Sequence, residues 1–130
     1  MSDATKDYLG ITIDYSRDSL LSDFGMATLK DRYLWGDESS PQEAFARAVV
    51  AGSAGDMKLA QRLYDSVSKL HWMLSTPALS NGGTTRGLPI SCFLNYVGDS
   101  RAGLNEHYAE NTWLASMGGG IGGYWGNVRS

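Results

Sequence analysis

Residues 89–100 read Pro-Ile-Ser-Cys-Phe-Leu-Asn-Tyr-Val-Gly-Asp-Ser, and residues 118–123 read Gly-Gly-Gly-Ile-Gly-Gly. Pro89 to Val97 is dense in apolar and β-favouring residues, which predicts a buried strand. Gly98-Asp99-Ser100 punctuates it and offers a cap for a helix over roughly Ala102 to Met117. The glycine-rich loop follows, and Tyr124 to Val128 begins a further strand. Strand, helix, glycine loop, strand is the start of a parallel α/β repeat. A parallel strand needs neighbours on each side, so these 130 residues hold an unfinished sheet. Either another chain supplies the rest, or the sequence is a truncated piece.

The same stretch carries the residues with chemical potential. Cys92 is the single cysteine, so no internal disulfide forms. A lone thiol in a strand is either a small core hydrophobe or a reactive group. Ser91 faces the opposite side from Cys92 unless a bulge or a strand end intervenes. Gly118, Gly120 and Gly123 satisfy G-x-G-x-x-G, but the dinucleotide fingerprint follows a strand and opens a helix, and here the order is reversed. What remains is bare backbone N–H available to a phosphate or a close substrate. A helix stop needs only Gly118. Asp99-Ser100 is either a plain N-cap or an anion site at a helix N-terminus.

Upstream the pattern is helical. Met1 to Lys6 reads as a tail, and Tyr8 to Tyr15 alternates as a short strand. Asp18 to Tyr33 reads as a helix with Leu20, Leu21, Phe24, Met26 and Leu29 for a buried face. Trp35-Gly36-Asp37 is a loop. Ser40-Pro41-Gln42-Glu43 is a capping box with proline at the first helical position, which starts a helix from Pro41 to about Val50. Gly52 to Gly55 breaks it. Asp56 caps a second helix whose apolar residues, Ala60, Leu63, Tyr64, Val67, Leu70 and Leu74, recur at steps of three and four. The pair reads as an antiparallel helical hairpin with a scaffold role. Thr76-Pro77 ends it and Asn81-Gly82-Gly83 is a turn. The division expected is a helical region over 1–74 and an α/β region over 75–130.

The net charge of -3, with scattered Lys and Arg, argues against a broad grip on nucleic acid. No run approaches the ~20 apolar residues of a membrane span, and the polar start is unlike a signal peptide. The expectation is a cytoplasmic protein with no membrane partner. His71 and His107 are isolated, so no metal site is expected.

Thr76 to Gly83 (TPALSNGG), Leu88 to Leu94 (LPISCFL), Gly98-Asp99-Ser100 and Gly119 to Gly122 (GGIG), in that order, resemble the ribonucleotide reductase large, catalytic (alpha) subunit, of a class I, phage- or bacterial-like kind. Phe24 to Leu29 (FGMATL) and the run to Glu43 are similar to the helical N-terminal region of that family. The resemblance implies an α/β fold: an N-terminal helical region, then the first strand-helix unit of a ten-stranded α/β barrel, incomplete in this chain. It implies a ribonucleoside-diphosphate reductase that makes deoxyribonucleotides for DNA synthesis by a radical and dithiol mechanism. By the same resemblance, Cys92 matches one of two cysteines oxidised to a disulfide as the ribose 2′-hydroxyl is replaced by hydrogen. Thr76, Ser91 and Gly120 match residues that hold the substrate nucleotide. Asp99 and Ser100 match the allosteric specificity site for a deoxynucleoside triphosphate. Arg101, next in line, meets phosphate or is solvated, and Ser116 matches a further effector position. The helix Ala102 to Met117 resembles one that packs against its copy in a dimer.

The resemblance also names what these residues lack: the thiyl-radical cysteine, the dithiol partner of Cys92, a glutamate and an asparagine of the central loop, and the C-terminal shuttle cysteines. The expected partners are the remainder of the large subunit, a second large subunit, a radical-generating small subunit, and a thioredoxin- or glutaredoxin-type reductant. No cofactor is expected on this chain. The radical is expected from a dimetal small subunit, with adenosylcobalamin as the other compatible source. The space before the helical region is short for an ATP-binding cone, and a split gene, an intein-flanked piece or a truncated sequence each account for the end at Ser130. Two other classes stand beside the enzyme: a nucleotide-binding allosteric module without chemistry, and a helical interaction protein with a flexible glycine-rich end.

Overall fold

The structure, a computed structural model, describes residues 4–130; the first three residues of the expected tail lie outside it. The chain divides into two compact units between Pro89 and Ile90.

In the first unit, β1 (Thr5–Tyr8) and β2 (Ile11–Asp14) pair antiparallel, with Tyr8 opposite Ile11. Leu9 (φ 50°) and Gly10 (φ 83°) make the two-residue turn, the positive-φ geometry that suits strand twist. The single strand expected over Tyr8–Tyr15 is therefore a hairpin, and Thr5 and Lys6 belong to it rather than to a tail. The alternation was real: Ile11 and Ile13 are buried while Thr12 is exposed. A 3₁₀ turn spans Tyr15–Leu20, and α1 (Asp23–Arg32) starts anew with the Ser22 hydroxyl accepting from the Gly25 N–H at 3.1 Å. The one helix expected over Asp18–Tyr33 breaks at Leu21, which is extended (φ -82°, ψ 141°). Its expected buried face is also corrected, since Phe24 is 82% exposed and only Leu29 of α1 is buried.

The centre of this unit is α2 (Pro41–Gly52), buried from Pro41 through Val49. A helix enclosed on all sides is a core helix. Its capping box forms as read: Ser40 Oγ accepts from the Gln42 N–H at 3.1 Å and Glu43 Oε2 from the Ser40 N–H at 3.2 Å. The chain then turns through Ala54 (φ 48°) and Gly55 (φ 90°). Asp56 caps α3 (Met57–Val67), which packs on α2 through Ala60, Tyr64 and Val67. The helix stops sooner than the periodicity suggests. Leu70 adopts φ 59° and is exposed, and Leu74 lies past the end. Thr76-Pro77 does not end a helix but opens one, α4 (Thr76–Asn81). Proline fits the first turn because no N–H is needed there. Leu79 anchors α4 to the same core as Phe45 and Val49.

The second unit is a strand-helix-strand unit: β3 (Cys92–Tyr96), α5 (Arg101–Ser116) and β4 (Gly120–Tyr124). β3 and β4 pair parallel from Cys92 opposite Gly120 to Tyr96 opposite Tyr124. The parallel repeat is present, with one revision. The polyglycine stretch is itself the second strand, complete over five residues, and residues 125–130 turn away from it. Missing side chains hid a strand that backbone pairing defines. Nor is β3 a buried strand: Leu94 is 90% and Tyr96 69% exposed.

Candidate functional site

Cys92 is the first residue of β3, at the amino end of the parallel pair, and is exposed rather than a core hydrophobe. Ser91 stands just before the strand, the strand-end case in which strict alternation does not apply. Its carbonyl accepts the Gly120 N–H at 2.6 Å. Ser91, Cys92 and Gly120 are thus immediate neighbours across the two strands. Cys92, Leu94 and Tyr96 share one open face, while Asn95 turns to α5, donating to Glu110 Oε2 at 2.9 Å and Asn111 Oδ1 at 2.8 Å.

The glycines of the second unit divide by purpose. Gly118 (φ 79°) and Gly119 end α5, their N–H groups reaching the carbonyls of Ala115 (3.0 Å) and Leu114 (2.9 Å), a Schellman closure. A Cβ on Gly119 would lie 2.8 Å from the Leu114 carbonyl oxygen and 2.9 Å from the Phe93 ring, and one on Gly123 2.9 Å from His107. Those positions need glycine for packing. Gly120 does not: a Cβ there meets only the Ser91 carbonyl oxygen, at 3.6 Å. Packing among the described residues therefore does not require glycine at position 120.

The other cluster lies past the carboxyl end of β3. Ser100 caps α5, its Oγ accepting from the Gly103 N–H at 2.9 Å, and Arg101 is exposed in the first turn. Asp99 is paired with Arg129, Nε to Oδ2 at 3.4 Å, and accepts from the Arg129 N–H, also at 3.4 Å. Arg129 was not singled out in the sequence, where thirty residues separate it from Asp99 and no local pattern flags it. Ser116 stands apart. It ends α5, its hydroxyl donating to the Trp113 carbonyl at 2.7 Å, and a 16-residue helix of about 24 Å separates it from Ser100. The five-residue strand β3 separates Cys92 at its head from Asp99, which lies in a bend past its carboxyl end.

Between these clusters, beneath the β3–β4 pair, His107 is 4% exposed, 2.9 Å from the Asn111 amide nitrogen through Nε2, and edge-on to Trp125 at 5.0 Å. In the first unit, Thr76 heads α4 with Oγ1 3.3 Å from the Tyr33 hydroxyl. Among the described residues no His, Cys, Asp and Glu group has metal-binding form, and no helix is long and apolar enough to cross a membrane.

Residues 19–87, more than half of the chain, match the family model described as ribonucleotide reductase, all-alpha domain. The chain is 51% identical over 113 residues to the ribonucleoside-diphosphate reductase large subunit of Invertebrate iridescent virus 3, covering 86% of this chain and 18% of that protein. It is 33% identical over 132 residues to the ribonucleoside-diphosphate reductase subunit alpha of Helicobacter pylori (strain ATCC 700392 / 26695), covering 95% and 17%. Among solved structures, the Actinobacillus ureae class Id ribonucleotide reductase alpha subunit superposes with a TM-score of 0.71 at 31% identity, over 84% of this chain and 21% of that one. The chain spans under a fifth of the length of these curated relatives. Its helical first unit and the matched model together place the chain in the ribonucleotide reductase family, through that family's all-alpha domain.

Proposed function

We propose that this chain takes part in reducing ribonucleoside diphosphates to deoxyribonucleotides, contributing one redox thiol and part of the nucleotide contacts. The observation that carries the reading is the exposed Cys92 at the head of β3, beside a Gly120 position that the fold leaves open. In the proposed step two thiols lose two hydrogens and join as a disulfide, the ribose 2′-hydroxyl departs as water, and hydrogen takes its place. Cys92 is one thiol; the other comes from polypeptide beyond these residues. Ser91 and Gly120 border the sugar, and side-chain-free backbone at Gly120 admits its close approach. Thr76 is read as a further substrate contact, on the family resemblance. The second unit is read as the first strand-helix unit of a ten-stranded α/β barrel.

Asp99, Ser100 and Arg101 are read as part of the site for a deoxynucleoside triphosphate effector. The pairing of Asp99 with Arg129 supports this, because it sets a sugar-accepting carboxylate next to a cation suited to phosphate. Ser116, at the far end of α5, joins that site only if a second copy presents it. The partners proposed are the remainder of the subunit, a second large subunit, a small subunit whose dimetal site generates the radical, and a thioredoxin- or glutaredoxin-type reductant, all in the cytoplasm.

The test is Cys92→Ser in the assembled enzyme. Turnover driven by an external dithiol is expected to vanish while deoxynucleotide effector binding persists. Surviving turnover would remove the redox role and leave a nucleotide-binding regulatory module as the better description.

A further inference from the structure

Arg47 projects from α2 and is 5% exposed, and its partner Glu38 has a side chain only 3% exposed. All five of its N–H donors are used. Nε and Nη2 grip the Glu38 carboxylate at 2.6 and 3.2 Å, Nη1 donates to the carbonyls of Leu79 (3.1 Å) and Gly82 (2.5 Å), and Nη2 to that of Tyr33 (3.0 Å). A guanidinium is the one side chain with that many fixed donors. Leu79 and Gly82 lie in and just after α4, a six-residue helix with no side-chain cap at its start. So short a helix is marginal by itself. Its position is set from outside.

Tyr33, the third segment held by Arg47, approaches Thr76 Oγ1 with its hydroxyl at 3.3 Å. One guanidinium therefore registers both the helix that bears Thr76 and the residue that contacts the Thr76 hydroxyl. The fit is tight, since a Cβ on Gly83 would lie 2.8 Å from Arg47 Cγ. Glu38 is fixed in turn, accepting from the Trp35 N–H at 2.8 Å. A second arginine reinforces the attachment: Arg86 donates to the carbonyls of Arg32 and Leu34, each at 3.2 Å, and lies over the Trp35 ring.

We propose that Arg47, braced by Glu38, is a positioning residue for substrate binding: it holds α4 and Tyr33 in the one arrangement that presents the Thr76 hydroxyl to the nucleotide. The proposal rests on reading Thr76 as a substrate contact. Arg47 itself touches no substrate.

The experiment compares R47K, Y33F and T76V in the assembled enzyme, with a ribonucleoside diphosphate as substrate, and follows backbone hydrogen exchange over residues 79–84 in the 130-residue chain. Lysine keeps the charge but has three donors for five acceptor contacts. R47K is expected to raise KM about tenfold with kcat within about twofold, the signature of lost binding rather than lost chemistry. Exchange at the Gly82 and Thr84 amides is expected to rise about tenfold. Y33F, which keeps the ring, is expected to raise KM about threefold and decides the matter should R47K fail to fold. If T76V raises KM while R47K, or Y33F in its place, leaves KM unchanged, the positioning role is wrong and the Thr76 reading stands. A fall in kcat that matches the rise in KM reduces Arg47 to a structural residue. If T76V leaves KM unchanged, the Thr76 reading fails and the positioning role fails with it.

Discussion

Cys92 and Gly120 stand opposite each other at the amino end of the parallel β3–β4 pair, joined through the 2.6 Å bond from the Gly120 N–H to the Ser91 carbonyl. The thiol is exposed at the head of its strand, and the residue paired with it carries no side chain. Because a Cβ at Gly120 meets nothing closer than 3.6 Å, alanine there fits the fold. G120A is therefore expected to leave stability within about 0.5 kcal/mol while raising KM for the nucleotide. Thermal unfolding of the chain and steady-state kinetics of the assembled enzyme check the two halves. G119A, which meets backbone at 2.8 Å, is expected to show the reverse order, with stability lost first.

Ser40 links two layers of the first unit. Its hydroxyl accepts from the Gln42 N–H and donates to Asp18 Oδ2 at 2.8 Å, and Asp18 Oδ1 also takes the Gln42 amide at 3.0 Å. S40A removes the N-cap of the central helix and one ligand of Asp18. A loss of about 1–2 kcal/mol is expected, read from the urea midpoint with an unchanged slope.

Tyr15 donates to Glu43 Oε1 at 2.7 Å, and the bond shifts the titration of both groups. Burial, then the hydrogen bond to Glu43 and its charge, push Tyr15 up to about 12. A raised value means stability complete below the usual 10.0 and lost as pH climbs toward about 12. Glu43 goes the other way. Burial pulls its carboxyl up, but the N–H of Ser39, the Tyr15 hydroxyl and the Ser40 N–H outweigh that and hold it below the usual 4.5. Its contribution is present above that value and lost as pH falls through the lowered one. Y15F is expected to cost about 1 kcal/mol at neutral pH and to shrink the alkaline loss, as followed by denaturant unfolding across pH. Tyr8 and Tyr64, raised chiefly by burial, keep part of that loss in place.

Asp99 and Arg129 make the remaining test. D99N keeps the shape and removes the charge that pairs with Arg129 at 3.4 Å. Affinity for a deoxynucleoside triphosphate is expected to fall about tenfold in the assembled enzyme, measured by equilibrium binding. Unchanged affinity would detach this cluster from effector binding.

Local chemistry was readable where a side chain does its work nearby. The capping box at Ser40, the cap at Asp56, the start of α5 and its glycine stop all depend on residues within a few positions. The misreadings share the opposite cause. Leu9-Gly10 turns a hairpin that alternation alone cannot separate from a continuous strand. The periodicity of α3 runs on to Leu74, but the helix ends at Val67 with the backbone turning at Leu70. Three of the five residues of β4 are glycines, which disfavour strands, and the segment forms one because Cys92–Tyr96 lies alongside. Of the residues singled out, Ser91, Cys92 and Gly120 lie next to one another because the strand register sets Cys92 opposite Gly120. Arg129 reaches Asp99 only through the return of the chain, and the five donors of Arg47 serve segments that the sequence holds far apart.

The most direct measurement maps disulfides after a single turnover of the assembled enzyme without external reductant, by peptide mass analysis under acid-quenched conditions. The expected result is the Cys92 peptide recovered covalently joined to a second cysteine peptide, in step with deoxyribonucleotide formed. Recovery of Cys92 as a free thiol while product accumulates would contradict its place as half of the reducing pair.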